Sequence, residues 1–153
     1  MTGALAPERR VETDAPDLEL TLPARPENVA VARHAIGGFA DVLDVPDQTL
    51  ADVKLAVTEA CTNCVVHAYP NGIGENAVFE VEADSGDDEL LVIVRDYGRG
   101  ISPNTESPGL GLGLPLIAAL SRTVEFRGGS SVTGTEVIMS FGLDEDLGDG
   151  NGR

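Results

Sequence analysis

The chain has no tryptophan, and aromatic residues make up only 4% of its 153 positions. Its core must therefore be aliphatic, built from Val, Leu, Ile and Ala. It has two cysteines, Cys61 and Cys64, too few and too close for a disulfide-stapled secreted fold. Basic residues are scarce: 10 Lys and Arg against 26 Asp and Glu, for a net charge of -16. Such a surface repels phosphate backbones and anionic lipid, which argues against direct partnership with nucleic acid or a membrane. No apolar run approaches the length that crosses a bilayer. The start lacks a basic segment followed by an apolar one, so a cytoplasmic location is expected.

What is present suffices for one core. Hydrophobic residues are 42% of the chain, and this length suits a single domain. Residues 1–17 are polar and aperiodic and read as a flexible N-terminal segment. Residues 143–153 read as an acidic flexible tail. Between them, 18–142 form the expected folded domain. Leu18 to Leu22 alternates as an edge strand stopped by Pro23. Val29, Ala32, Ile36, Phe39, Ala40 and Leu43 recur at helical spacing. Leu50, Val53, Val57, Ala60 and Cys64 do so again on a second helix, which starts near Pro46 and runs to about Ala68. Strands are expected over 77–83, 90–95, 124–127 and 135–141. A third helix is expected from Leu114 to Arg122, after a loop rich in Gly, Pro, Ser and Asn. The sum is an α+β two-layer sandwich: three helices on one face of a mixed, largely antiparallel sheet of about five strands.

Three short motifs carry chemistry. Glu59 and Asn63 lie four residues apart and project from one helix face. An Asn amide oxygen suits a hard cation such as Mg²⁺, and a neighbouring carboxylate can take a proton from an attacking hydroxyl or water. The alternative is a solvated polar face. Asp96 ends an apolar strand and is followed by Tyr-Gly-Arg-Gly. There a carboxylate can accept a hydrogen bond from an exocyclic amine, while Gly98 and Gly100 leave room for a flat ring. The alternative is an Asp-capped turn. Gly109, Gly111 and Gly113 offer unhindered amides before the third helix, a ready anion site. They form neither a Walker loop nor a dinucleotide fingerprint. Cys-Thr-Asn-Cys admits a thiol redox role, or a zinc site with His67. A redox pair, however, wants its first thiol at a helix N-terminus, and a fourth zinc ligand is not evident. Filling of a crowded helix face is the plainer reading.

Together these motifs resemble the GHKL ATP-binding superfamily. Glu59-x-x-x-Asn63 is similar to its N box, Asp96-x-Gly98-x-Gly100 to its G1 box and Gly111-x-Gly113 to its G2 box. Gly134-Thr135 is similar to the Gly-Thr on the following strand. The stretch from Val57 to Tyr69, and Glu27 to Arg33 on the first helix, resemble the bacterial anti-sigma factor serine/threonine kinases. The resemblance implies Glu59 as general base, Asn63 as Mg²⁺ ligand, and Asp96 as the adenine reader beside Gly98, Gly100 and Thr135. It implies Gly109, Gly111 and Gly113 along the phosphates of ATP, and Arg33 as the contact to a partner protein. The implied substrate is a serine or threonine of a STAS-type anti-anti-sigma protein. The implied binding partner is a sigma factor, and relatives commonly form homodimers. One departure stands out: the segment between Gly100 and Gly109 is short and holds no Lys or Arg, where some family kinases place a basic residue near the transferred phosphate. A nucleotide-binding partner-switch module with little or no kinase activity is therefore the alternative. A detached histidine-kinase catalytic domain fits less well, since no dimerisation helix with an acceptor His precedes the domain and no acidic neighbour follows His34.

Overall fold

The computed structural model describes residues 15–68, 77–98, 110–129 and 132–144. The chain order is β1 (Leu18–Pro23), α1 (Glu27–Val42), α2 (Asp47–Asn63), β2 (Val78–Ser85), β3 (Glu89–Asp96), α3 (Leu110–Leu120), β4 (Thr123–Gly129) and β5 (Val132–Gly142). The expected three helices and five strands are all present. The expected flexible ends, apart from residues 15–17, 143 and 144, lie outside the described residues. Among the described residues no helix is long and apolar enough to cross a membrane.

The strands form one sheet in the order β1-β2-β3-β5-β4. Where a mixed sheet was expected, all four pairings are antiparallel. The reason is local: β2–β3 and β4–β5 are hairpins, and short turns can only join antiparallel strands. The period-two alternation of each strand sorts side chains to two faces. One face points to the helices, and its rows read directly from the register. Leu18, Ala83, Val92, Met139 and Val124 form one row, and Leu20, Val81, Val94, Val137 and Phe126 the next. Against them pack Ala32, Ile36 and Ala40 of α1, Val53, Ala56, Val57, Ala60 and Cys61 of α2, and Ile117 of α3. Small residues on the facing helix stripes let the helices lie close to the sheet. A Cβ on Gly37 would meet only the exposed, flexible Lys54 side chain, at 2.8 Å, which can move aside.

Among the described residues the opposite face carries no helix and is largely polar, with Leu91, Ile93 and Ile138 among its apolar members. Its central row is Thr21, Glu80, Arg95, Glu136 and Arg127. Arg95 reaches Glu80 at 3.2 Å, Glu82 at 2.8 Å and Glu136 at 2.8 Å. Opposite charges placed across neighbouring strands support the register here, beside the Ile93–Ile138 pair.

Two helix ends depart from the sequence expectation. α2 does run to Ala68, but its last turn, Cys64–Ala68, is a π-helix. α3 starts at Leu110, four residues earlier than expected, so Gly111 and Gly113 lie inside its opening turns and Pro115 falls mid-helix. Glycine has a poor helix propensity, which made the segment read as loop. Packing of the helix start against α2 overrides that preference.

Candidate functional site

A third row of the helix-facing side of the sheet runs Leu22, Phe79, Asp96, Thr135 and Gly128. The rows beside it are apolar throughout, whereas this one turns polar on β3 and β5. Asp96 is 4% exposed and Thr135 8%. The Gly98 N–H donates to Asp96 Oδ1 at 3.0 Å. The Thr135 backbone and the Cys64 side chain lie beside the carboxylate. Burial pushes the Asp96 carboxyl above its ordinary value, and the Gly98 bond, with Cys64 and Thr135 beside it, opposes that rise. No ion pair to it is found among the described residues, where the Gly98 N–H is the bonded donor.

Gly134 makes this end of the sheet possible. Its φ is +92°, a left-handed value that a side chain rarely adopts. A Cβ there would collide with the Asp96 carbonyl and come within 2.9 Å of the Tyr97 Cα. The backbone of β5 is thus pressed onto the end of β3 beside Asp96.

The second half of the site is where α3 meets α2. A Cβ on Gly113 would stand 3.3 Å from Asn63 Oδ1, 3.5 Å from Asn63 Nδ2 and 3.5 Å from Glu59 Oε1. The bare backbone of α3 therefore rests on the Glu59–Asn63 pair. Asn63 is 6% exposed, yet its Nδ2 has no hydrogen-bond partner among the described residues. A buried amide left unpaired costs on the order of 1–3 kcal/mol. Such an orphan marks a place where a ligand group completes the bonding. Glu59 is half-buried beside it. The two halves join through the chain itself, because Asn63 is followed by Cys64, whose side chain lies beside Asp96.

The structure thus brings Glu59, Asn63, Asp96, Gly98, Gly113 and Thr135 to one end of the domain. Gly111 lies in the same helix start as Gly113. Gly100 and Gly109 lie outside the described residues. Arg33 is not in this cluster. It is half-buried on α1 and lines a separate cleft of about 260 Å³ with Pro26, Val29, Ala30, Thr62, Val65 and Val66. That cleft flanks the end of α2 that carries Asn63.

Sequence reasoning left two participants without a role. Cys64 was read as core filler, and nothing in a linear pattern announces the π-helical turn that starts at it. Gly134 was noted only for its place before Thr135. Its signal was a glycine at the mouth of a β-rich run, which often marks close backbone approach. The redox reading of the cysteines fails on environment. Both are buried and form no disulfide, and burial pushes both thiols up, so they stay protonated and unreactive. His34 is exposed on α1 and its Nδ1 bonds the Ala30 carbonyl at 2.8 Å.

A metal that fits here is a hard one. The donors at hand are an amide and a carboxylate oxygen, with no group of three or more His, Cys, Asp or Glu among the described residues. That pattern suits Mg²⁺, which keeps waters and takes most of its other ligands from substrate phosphates.

The comparisons with known proteins agree with this geometry. Residues 22–141 match the histidine kinase-like ATPase domain family. The serine-protein kinase RsbW of Bacillus pumilus is 34% identical over 131 residues, covering 76% of this chain and 81% of that protein. An anti-sigma F factor of Caldanaerobacter subterraneus is 38% identical over 84 residues, 55% of this chain and 57% of that protein. The crystal structure of the RsbU and RsbW domains of a Mycobacterium tuberculosis protein superposes with a TM-score of 0.61 at 22% identity, over 81% of this chain and 31% of that one. The fold, the ATP-binding domain type and the relatives converge: the chain belongs to the histidine kinase-like ATPase family, in its branch of bacterial serine-protein kinases and anti-sigma factors.

Proposed function

We propose that this domain transfers the γ-phosphoryl group of Mg-ATP to a serine or threonine of a STAS-type anti-anti-sigma protein, and that it holds a sigma factor when that antagonist is phosphorylated. The observation that carries the proposal is the seating of Gly113 on Glu59 and on a buried Asn63 amide that has no partner for its Nδ2 among the described residues. The names borne by the relatives, a serine-protein kinase and an anti-sigma factor, supply the substrate class and the partner class.

Each residue has a task on this reading. Asp96 accepts the exocyclic amine of adenine, and Gly98, Gly100 and Thr135 border the ring. Gly109, Gly111 and Gly113 present backbone along the phosphates at the start of α3. The N-terminal amides of that helix offset phosphate charge in a protein of net charge -16. Asn63 Oδ1 would hold Mg²⁺, which would supply charge neutralisation at the phosphates. Glu59 accepts the proton of the attacking hydroxyl. The hydroxyl oxygen bonds to the γ-phosphorus, the bond from that phosphorus to the β–γ bridging oxygen breaks, and ADP leaves. Arg33 and its cleft dock the protein partner, and self-association as a homodimer belongs to the same reading. The place of action is the cytoplasm, where sigma factors work.

The test uses labelled ATP, Mg²⁺ and the cognate antagonist. Glu59→Ala is expected to lower transfer by about 10³-fold while ADP binding persists, since general-base losses fall near that size. Undiminished transfer by Glu59→Ala overturns its role. Tight partner and nucleotide binding with no transfer by the unaltered protein would favour a switch module without kinase activity, the reading that the uncharged 101–109 segment motivates apart from Glu106.

A further inference from the structure

We infer that Tyr97 is a positioning residue for the nucleotide: its hydroxyl, anchored on Glu80 of the neighbouring strand, fixes the turn from Asp96 to Gly98 that aims the Asp96 carboxylate at adenine. The inference rests on Asp96 reading adenine and goes one step further, to what holds that carboxylate in place.

β3 ends at Asp96, the last residue of the strand in register with both neighbours, Phe79 of β2 and Thr135 of β5. Tyr97 is the first residue past the ladder. Gly98 must turn back for its N–H to meet Asp96 Oδ1 at 3.0 Å. An Asp side chain that takes the amide two residues on makes an Asx turn, with Tyr97 at its centre. Local opening is easy at such a strand end unless something ties it down. Two contacts do so. On the β5 side, a Cβ on Gly134 would stand 2.9 Å from the Tyr97 Cα, so the two backbones touch. On the β2 side, the Tyr97 hydroxyl donates to Glu80 Oε1 at 2.8 Å.

The direction of the side chain decides its task. Alternation sends Asp96 to the helix side of the sheet and Tyr97 to the helix-free side, where Glu80 lies. A ring on that side does not stack on a base held at Asp96. Its effect reaches the site through the backbone of the turn. Glu80 is itself braced, because Arg95 approaches the same Oε1 at 3.2 Å and also bonds Glu82 and Glu136. Tyrosine suits the role. It has only two side-chain torsions to fix, and a carboxylate acceptor strengthens its bond. That bond also holds the Tyr97 hydroxyl above its ordinary value, so it remains a donor at neutral pH. Tyr97 is 50% exposed, so removing its hydroxyl leaves the core untouched and shows in aim more than in folding. Arg95→Ala leaves Tyr97 and Glu80 both in place, which separates this tether from the rest of the ion cluster.

Calorimetry in Mg²⁺ reads the affinities of ADP and of its analogue lacking the 6-amino group, and the ratio between them. Tyr97→Phe keeps the ring and removes the donor. Glu80→Ala removes the acceptor, and Glu80→Gln keeps an acceptor oxygen. Tyr97→Phe and Glu80→Ala are each expected to lower ADP affinity about threefold, the size of a partly exposed hydrogen bond. The analogue should lose less, so the ratio shrinks. The double variant should lose no more than either single one, the mark of two residues acting through one bond. Glu80→Gln should stay near the parent. A ratio unmoved by Tyr97→Phe overturns the inference, as does an equal weakening of both ligands or a loss that multiplies in the double variant. Asp96→Asn tells the two levels apart. If that change leaves the ratio intact, adenine reading by Asp96 is wrong and the role of Tyr97 falls with it. If it abolishes the ratio while Tyr97→Phe moves nothing, only the role of the tyrosine falls.

Discussion

Arg95 and Asp96 are neighbours on β3 and opposites in every other respect. The alternation of the strand sends one to the helix-free face and one to the helix face. Arg95 meets three carboxylates, each within 3.2 Å. Asp96 has no ion pair among the described residues and takes a hydrogen bond from the Gly98 N–H. Arg95 is satisfied by the fold itself. The end of the domain that holds Asp96 also holds an amide that bonds nothing among the described residues, Asn63 Nδ2. Buried polar groups that the chain satisfies hold it together. Those it leaves open are held for something else, and the fold is less stable for having them.

The sharpest way to break this contrast is Asn63→Ala. On the ligand side it removes the candidate metal-holding oxygen. Mg²⁺-dependent nucleotide affinity is expected to fall by at least about 100-fold, in the range seen when a metal's protein contacts are altered, and phosphoryl transfer to disappear. On the fold side it removes an orphan, so thermal stability should hold or rise despite the small cavity. Calorimetry and a melt on one sample check both. A marked loss of stability with nucleotide binding intact would place Asn63 among the structural residues and erase the distinction from Arg95.

Arg95→Ala is the mirror experiment and a smaller effect. It leaves Glu80, Glu82 and Glu136 facing one another on adjacent strands without their shared cation. Breaking a well-buried ion pair costs several kcal/mol, and an exposed one almost nothing. Arg95 is 23% exposed, between those limits, so a loss of about 2 kcal/mol in denaturant unfolding is expected. ADP affinity should stay within twofold, because the cluster lies across the sheet from the site. High salt should shrink the gap between variant and parent. A nucleotide defect without a stability defect would reverse the assignment of the two faces.

How far the sequence foretold this contrast differs between its two sides. The layers, the element order and the helix-face residues were legible, because period-two and period-3.6 patterns report which way side chains point. The Glu59–Asn63 pair was legible for the same reason, four residues being one turn. The convergence of Asp96 with that pair rested on resemblance, since spacing along the chain does not say which strand ends beneath which helix. The start of α3 was misplaced because glycine's weak propensity is a local quantity, and contact with α2 is not. The π-helical turn at Cys64 has no compositional mark at all. The ion cluster around Arg95 joins residues as far apart as Glu80 and Glu136, and pairing across three strands cannot be read before the register is known.

The finest test of the comparison is the pH dependence of Asp96→Asn. Burial raises the Asp96 pKa in the folded protein above its unfolded value. A raised folded pKa means that the native state binds the proton more tightly. The group's contribution is therefore greatest below the unfolded pKa and is lost as pH rises through the folded one. At neutral pH the apo protein carries the cost of a buried, ionised acid, and asparagine does not. The variant should accordingly match or exceed the parent in apo stability at pH 7, by a modest margin. That margin should narrow as the pH falls through the region just above the ordinary carboxylate range. Mg-ATP should invert the order, because only the parent gains RT ln(1 + [L]/Kd) from a ligand it can still bind. Melts at several pH values, with and without nucleotide, contain the whole comparison. A margin that does not change with pH would mean that the Asp96 charge is as well accommodated as that of Arg95, and that the domain holds no charge in reserve for a ligand.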